Sequence, residues 1–152
     1  MAHILVVDDD DIVAELASGI LISAGHACGF VSDAAEAWRL LRWRRPDLLL
    51  LDEAMPGESG SSFLRRLRGS SDFYDLPVIM FTAQSGAEDE RRALYNGAQD
   101  FVRKPVEPPL LCRKVDRLLQ ARAARPQHRQ LAQWAEFQPR TRKDGPPRKV
   151  YL

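Results

Sequence analysis

Five short apolar runs alternate with five stretches in which apolar residues recur every three or four positions. The runs are His3–Val7, Ala27–Val31, Leu48–Leu51, Pro77–Phe81 and Asp100–Arg103. Runs of this length bounded by turn formers read as strands. The clearest is Leu48-Leu49-Leu50-Leu51, bracketed by Pro46 and by Pro56-Gly57. Apolar at every position, it predicts a strand buried on both faces, as in parallel sheets covered by helices above and below.

The intervening stretches carry helical spacing. Asp11 is placed to cap a first helix with Ile12, Leu16, Ile20 and Leu21, ended by Gly25. Asp33 is placed to cap a second, through Ala34, Ala37, Trp38 and Leu41, stopping before Pro46. Ser59–Arg68 is the third, closed by Gly69, and Ala87–Asn96 the fourth, closed by Gly97. The fifth runs from about Pro109 to Ala124, with Leu111, Val115, Leu118 and Leu119 inward. Alternating strands and helices predict an α/β fold, a doubly wound parallel sheet covered on both faces.

The polar residues that end the strands then change the picture. Ile4–Val7 runs into Asp8-Asp9-Asp10-Asp11, and the four leucines run into Asp52. Asp is also a common turn former, so Asp52 alone is ambiguous. If the two strands are neighbours, Asp8, Asp9 and Asp52 crowd one edge, the carboxyl edge where open α/β sheets gather ligands. Crowded carboxylates raise one another's pKa. A hard divalent cation relieves the repulsion, which points to metal-dependent phosphate chemistry.

Composition adds bounds. The 152 residues are 45% hydrophobic and 28% charged, ordinary for one globular domain with an appendage. No apolar run reaches membrane-span length, and the N-terminus has no secretory pattern, so a cytoplasmic chain is expected. Cys28 and Cys112 fall in apolar segments and read as free buried thiols. The net charge of +1 is unevenly spread: from Arg122 onward eight Arg and Lys face only Glu136 and Asp144, a net +6, leaving −5 before it. Arg125-Pro126 marks a boundary between residues 1–124 and a basic, proline-containing tail, 125–152. Within the tail, 127–137 could form a short helix with Leu131, Trp134 and Ala135 on one face.

Thr82 follows the fourth strand, and Lys104-Pro105 the fifth. Together with Asp8, Asp9 and Asp52, this set resembles the receiver domain of two-component response regulators, over Met1 to about Ala124. The resemblance implies a flavodoxin-like fold with five helices and sheet order 2-1-3-4-5. It implies that Asp52 is the phosphoacceptor, supplied by a sensor histidine kinase or a histidine phosphotransfer protein. Asp8, Asp9, Asp52 and the backbone carbonyl of Ala54 match the ligands of Mg²⁺ (or Mn²⁺). Thr82 and Lys104 match the residues that bind phosphoryl oxygens, Lys104-Pro105 a peptide usually cis, and Phe101 the aromatic that moves inward with the threonine. Taken singly, Lys104 also reads as a surface lysine and Phe101 as ordinary core. Ala54 and Gln84 occupy positions that tune the acyl-phosphate lifetime. Glu53, beside the acceptor, departs from the pattern; its carboxylate either faces solvent or perturbs the metal site.

The function expected is therefore a phosphorylation-driven switch, not an enzyme with its own substrate. Its output would be a protein contact through the fourth helix, fifth strand and fifth helix, with a homodimer admitted. Alternatives are a phosphorelay intermediate or phosphate sink, and nucleic-acid binding through the tail, whose Arg and Lys are interleaved with Trp134, Phe137 and Tyr151. A phosphatase with an aspartyl-phosphate intermediate is disfavoured, because such enzymes usually place a second Asp where Ala54 stands.

Overall fold

The computed structural model describes residues 1–83 and 87–123. Its elements are β1 (His3–Val7), α1 (Asp11–Ser23), β2 (Ala27–Val31), α2 (Ala34–Trp43), β3 (Leu48–Asp52), α3 (Gly60–Arg68), β4 (Val78–Thr82), α4 (Ala87–Tyr95), β5 (Asp100–Arg103) and α5 (Pro108–Ala123). All strands are parallel, in the order β2-β1-β3-β4-β5 that the resemblance implies. The expected tail helix at 127–137 and Gln84 lie outside the described residues.

Strand side chains alternate between two cores. Leu5, Val7, Leu49 and Leu51 face α2 and α3, meeting Leu41, Phe63, Leu64 and Leu67. Ile4, Val6, Leu48 and Leu50 face the other way, onto Ala14, Ala17 and Leu21 of α1 and Leu111 and Val115 of α5. All four leucines of β3 are 0% exposed. Each such side chain stabilises the fold by roughly 1.5–3 kcal/mol relative to an exposed one.

Three expectations need correction. The α1 cap is Asp10, not Asp11: the Asp10 carboxylate accepts from the N–H groups of Ile12 and Val13. The inward face of α1 is Ala14, Ala17, Ser18 and Leu21, whereas Ile12 is 80% exposed and Leu16 54%. Small residues let α1 lie close on the sheet, and the larger stripe turns outward. The two thiols are free but only half-buried. Elsewhere the caps are as read: Asp33 accepts from the Glu36 N–H, and the Glu36 carboxylate accepts from the Ser32 N–H, a reciprocal cap that starts α2.

Candidate functional site

Register decides which side chains meet. Val7 of β1 is paired with Leu51 of β3, so Asp8 and Asp52 are the next residues on adjacent parallel strands. Asp52 is itself opposite Phe81, and Thr82 is the last residue of β4. Thr82 pairs with Arg103, which places Lys104 one step beyond on β5. The Lys104 N–H donates to the Thr82 carbonyl at 2.8 Å, and the Lys104–Pro105 peptide is cis. Four strands therefore deliver an aspartate pair, an aspartate, a threonine and a lysine to one edge.

Asp8, Asp52 and Thr82 are buried, at 0%, 3% and 7% exposure, while Asp9 is exposed. The Lys104 ammonium lies 2.8 Å from Asp8 Oδ2 and 3.1 Å from Asp52 Oδ1. It also sits over the Phe81 ring, 5.0 Å from its centroid. Asp8 Oδ1 accepts from the Asp10 N–H at 2.9 Å. Asp8 Oδ2 has the ion-pair contact but no directed hydrogen bond.

One cation cannot neutralise this group. Burial, and then the Asp8 charge, push the Asp52 carboxyl up to about 7, although Lys104 pulls it back. Burial works to lower the Lys104 pKa, but its contacts with Asp8 and Asp52 outweigh that, and the ammonium is held above its ordinary value. Carboxylate oxygens of Asp8, Asp9 and Asp52 lie within 4.8 Å of one another. Three oxygen donors, one on an exposed residue and one on a buried carboxylate short of a directed donor, suit a hard divalent cation that keeps part of its water.

Residues 4–116 match the response regulator receiver domain family. The chain belongs to that family. The receiver domain is 34% identical over 116 residues to the phosphate regulon transcriptional regulatory protein PhoB of Pseudomonas aeruginosa, covering 76% of this chain and 51% of that protein. It is 38% identical over 113 residues to the DNA-binding response regulator MtrA of Mycolicibacterium smegmatis, covering 74% and 48%. The chain thus spans about half the length of these relatives. Among solved structures, the receiver domain of a signal transduction histidine kinase from Syntrophus aciditrophicus superposes with a TM-score of 0.73 at 37% identity, covering 80% of this chain and 92% of that one. The chemotaxis protein CheY4 of Vibrio cholerae gives a TM-score of 0.73 at 28% identity, covering 78% and 98%. This is therefore a receiver domain of two-component signalling. None of its described helices is long and apolar enough to cross a membrane.

Around the receiver's acidic edge, the remaining expected residues are placed as follows. Ala54 is exposed on the loop after β3. Glu53 stays out of the acidic cluster, because its carboxylate accepts from the Ser61 hydroxyl of α3 at 2.6 Å. Phe101 is half-buried against the α2–α3 core, with the Lys114 ammonium 4.4 Å from its ring centroid. Lys114 is also bonded to Asp100 and to the Phe101 carbonyl. Sequence reasoning missed Gly60. It is buried at the first position of α3, its N–H donates to the Glu53 carbonyl at 2.9 Å, and it packs on the backbone of Asp52. The only signal was a glycine where Ser59 starts a helix, a position at which glycine is a poor choice unless space demands it.

Proposed function

We propose that this receiver accepts a phosphoryl group on Asp52 from a histidine kinase or a histidine phosphotransfer protein, and switches its protein contacts in response. The observation that carries the reading is the Lys104 ammonium held within 3.1 Å of two buried carboxylates at the carboxyl edge of the sheet. An Asp52 oxygen attacks phosphorus, a P–O bond forms, and the P–N bond to the donor imidazole breaks with its electron pair returning to nitrogen. Phosphoryl transfer asks the protein mainly for alignment and charge neutralisation. Lys104 is placed to pair with one phosphoryl oxygen and the Thr82 hydroxyl to donate to another. Asp8, Asp9, Asp52 and the Ala54 carbonyl would hold Mg²⁺ (or Mn²⁺), which supplies counter-charge to the remaining oxygens.

Thr82 and Phe101 sit on adjacent strands β4 and β5. A hydroxyl drawn toward the phosphoryl group vacates space that the half-buried Phe101 ring can enter, a two-position packing suited to a switch. Output would pass through α4, β5 and α5, where Leu94 is 46% and Tyr95 91% exposed. The same face would serve a homodimer. Residues 1–124 form the receiver in this reading, 125–152 a tail, and Ala54 and Gln84 tune the lifetime of the adduct. Ala54 offers only a methyl where a phosphatase would need an acid, which favours a switch over an enzyme with its own substrate.

The test is incubation with acetyl phosphate and Mg²⁺, followed by mass spectrometry for a hydroxylamine-labile adduct. Asp52→Asn should abolish the adduct; an undiminished adduct in that variant overturns the assignment.

A further inference from the structure

The edge of the sheet opposite Asp52 has its own unused chemistry. Helix α2 carries two tryptophans. Trp38 packs edge-on against Phe63 and Phe73, with centroids at 6.3 and 5.6 Å. Trp43, at the end of the same helix, is 81% exposed. Arg39, Arg42 and Trp43 share one helix face by their spacing of three and four. Arg39, Arg42 and Arg44 are all exposed. Among the described residues none of the three has an ion-pair partner, unlike Arg45, which is bound to Asp75 at 2.9 Å.

Other basic groups converge on this edge. The His3 imidazole is held below its ordinary pKa by burial first and by the charge of Arg44 second. His3 and Asp47 are joined by backbone and side-chain hydrogen bonds, and Arg122 of α5 donates to the Asp47 carbonyl at 3.3 Å. The sequence beyond Ala123, the last described residue, carries seven Arg and Lys against two acidic residues.

Five residues separate His3 from Asp8, about 16 Å along the strand. That exceeds the Debye length of about 8–10 Å at physiological salt, so the acidic edge does not repel a polyanion at the opposite one. Arginines meet phosphates, and an exposed indole between them can stack on an unpaired base. In a duplex the bases are already stacked, so an exposed ring favours an unpaired strand.

We propose that Arg39, Arg42, Trp43 and Arg44, with Arg122, form a binding surface for single-stranded nucleic acid. It does not depend on the phosphoacceptor reading. The experiment uses the full chain and a fluorescein-labelled oligothymidylate, with anisotropy read from low to physiological salt. Trp43→Ala should weaken binding roughly tenfold or more, and Trp43→Phe should restore most of it. The double variant Arg42→Ala/Arg44→Ala should flatten the logarithmic salt slope by about 1.4, two phosphate contacts on a single strand. Asp52→Asn should change neither quantity, which keeps this test separate from the phosphorylation assay. These side chains are exposed, so circular dichroism should match the parent. Three results overturn the proposal: no binding at low salt; parental affinity and slope in the α2 variants, which would place all binding beyond Ala123; or equal competition by polyglutamate, which would make the surface a general polyanion site open to acidic proteins.

Discussion

Replacing Gly60 by alanine tests how tightly Asp52, the proposed acceptor, is held. A Cβ at this position would lie 2.1 Å from the carbonyl oxygen of Asp52, 2.9 Å from its carbonyl carbon and 3.0 Å from Glu53 Cα. All three atoms are backbone and cannot rotate away. An ordinary contact begins at 3.4 Å, so the start of α3 or the end of β3 must yield by more than 1 Å. Overpacking of this kind costs about 1–3 kcal/mol. Weakening the 2.9 Å bond from the Gly60 N–H to the Glu53 carbonyl adds about 1 kcal/mol. Losing glycine's freedom in the unfolded chain offsets about 0.4–1 kcal/mol. The net loss is about 2–3 kcal/mol, which for a domain of this size lowers Tm by roughly 10 °C. Gly69→Ala is the matched control: its φ is −84°, and its Cβ would meet only carbonyl oxygens at 3.6 and 3.7 Å. It should melt at or slightly above the parent temperature. Because Gly60 bears on Asp52 itself, adduct formation with acetyl phosphate should also slow, by up to about 100-fold for a misplacement near 1 Å. Parental melting and parental labelling in Gly60→Ala would show that the acceptor strand is not clamped by α3.

Four further outcomes follow from the same geometry. Asp52 has a folded pKa near 7, raised from 3.8. The folded state therefore holds this proton more tightly than the unfolded one, and its contribution to stability is full below about pH 4 and is lost as pH rises through about 7. In divalent-free buffer Tm should fall from pH 5 to pH 8; Asp52→Asn should flatten that slope, and a parental slope in the variant would refute the assignment. Lys104→Ala leaves two buried carboxylates facing each other and should cost about 3–5 kcal/mol in denaturant unfolding with chelator present, partly recovered by Mg²⁺; an unchanged midpoint would refute the coupling. Glu53→Gln should leave Mg²⁺ affinity unaltered in a titration, since that carboxylate is bound to Ser61. Leu50→Ala should cost about 2–5 kcal/mol in the same denaturant assay, because Leu50 is wholly buried.

The fold was legible because its strands are fully apolar and end in polar residues of distinct chemistry. Four leucines between prolines admit little besides a strand buried on both faces, and Asp8, Asp52, Thr82 and Lys104 mark where strands leave the sheet. What stayed hidden depends on distance rather than spacing. Periodicity groups Ile12, Leu16 and Ile20 on one stripe but does not say that a stripe of Ala14, Ala17 and Ser18 packs more closely and takes the inside. Asp10 and Asp11 are equally good caps on paper, and one residue of helix phase decides between them. Glu53 is acidic and adjacent to Asp52, yet its carboxylate is taken by the Ser61 hydroxyl, away from Asp8. Gly60 carries no chemistry of its own, so only a backbone 2.1 Å from its absent Cβ reveals its purpose. Trp43 looks like Trp38 in sequence, and only the end of the helix separates the packed ring from the solvated one.

The leucine run of β3 acts as a spacer as well as a core. Any one of its members can change to another aliphatic and the domain will mostly feel a change in packing. Removing or inserting one residue is a different event: the strand advances by about 3.3 Å and every side chain after the change swaps sides. Asp52 would then leave Asp8 and Lys104 without any change to its own codon. A one-residue indel in this segment is thus a loss-of-site mutation, whereas most single aliphatic exchanges there are only losses of stability.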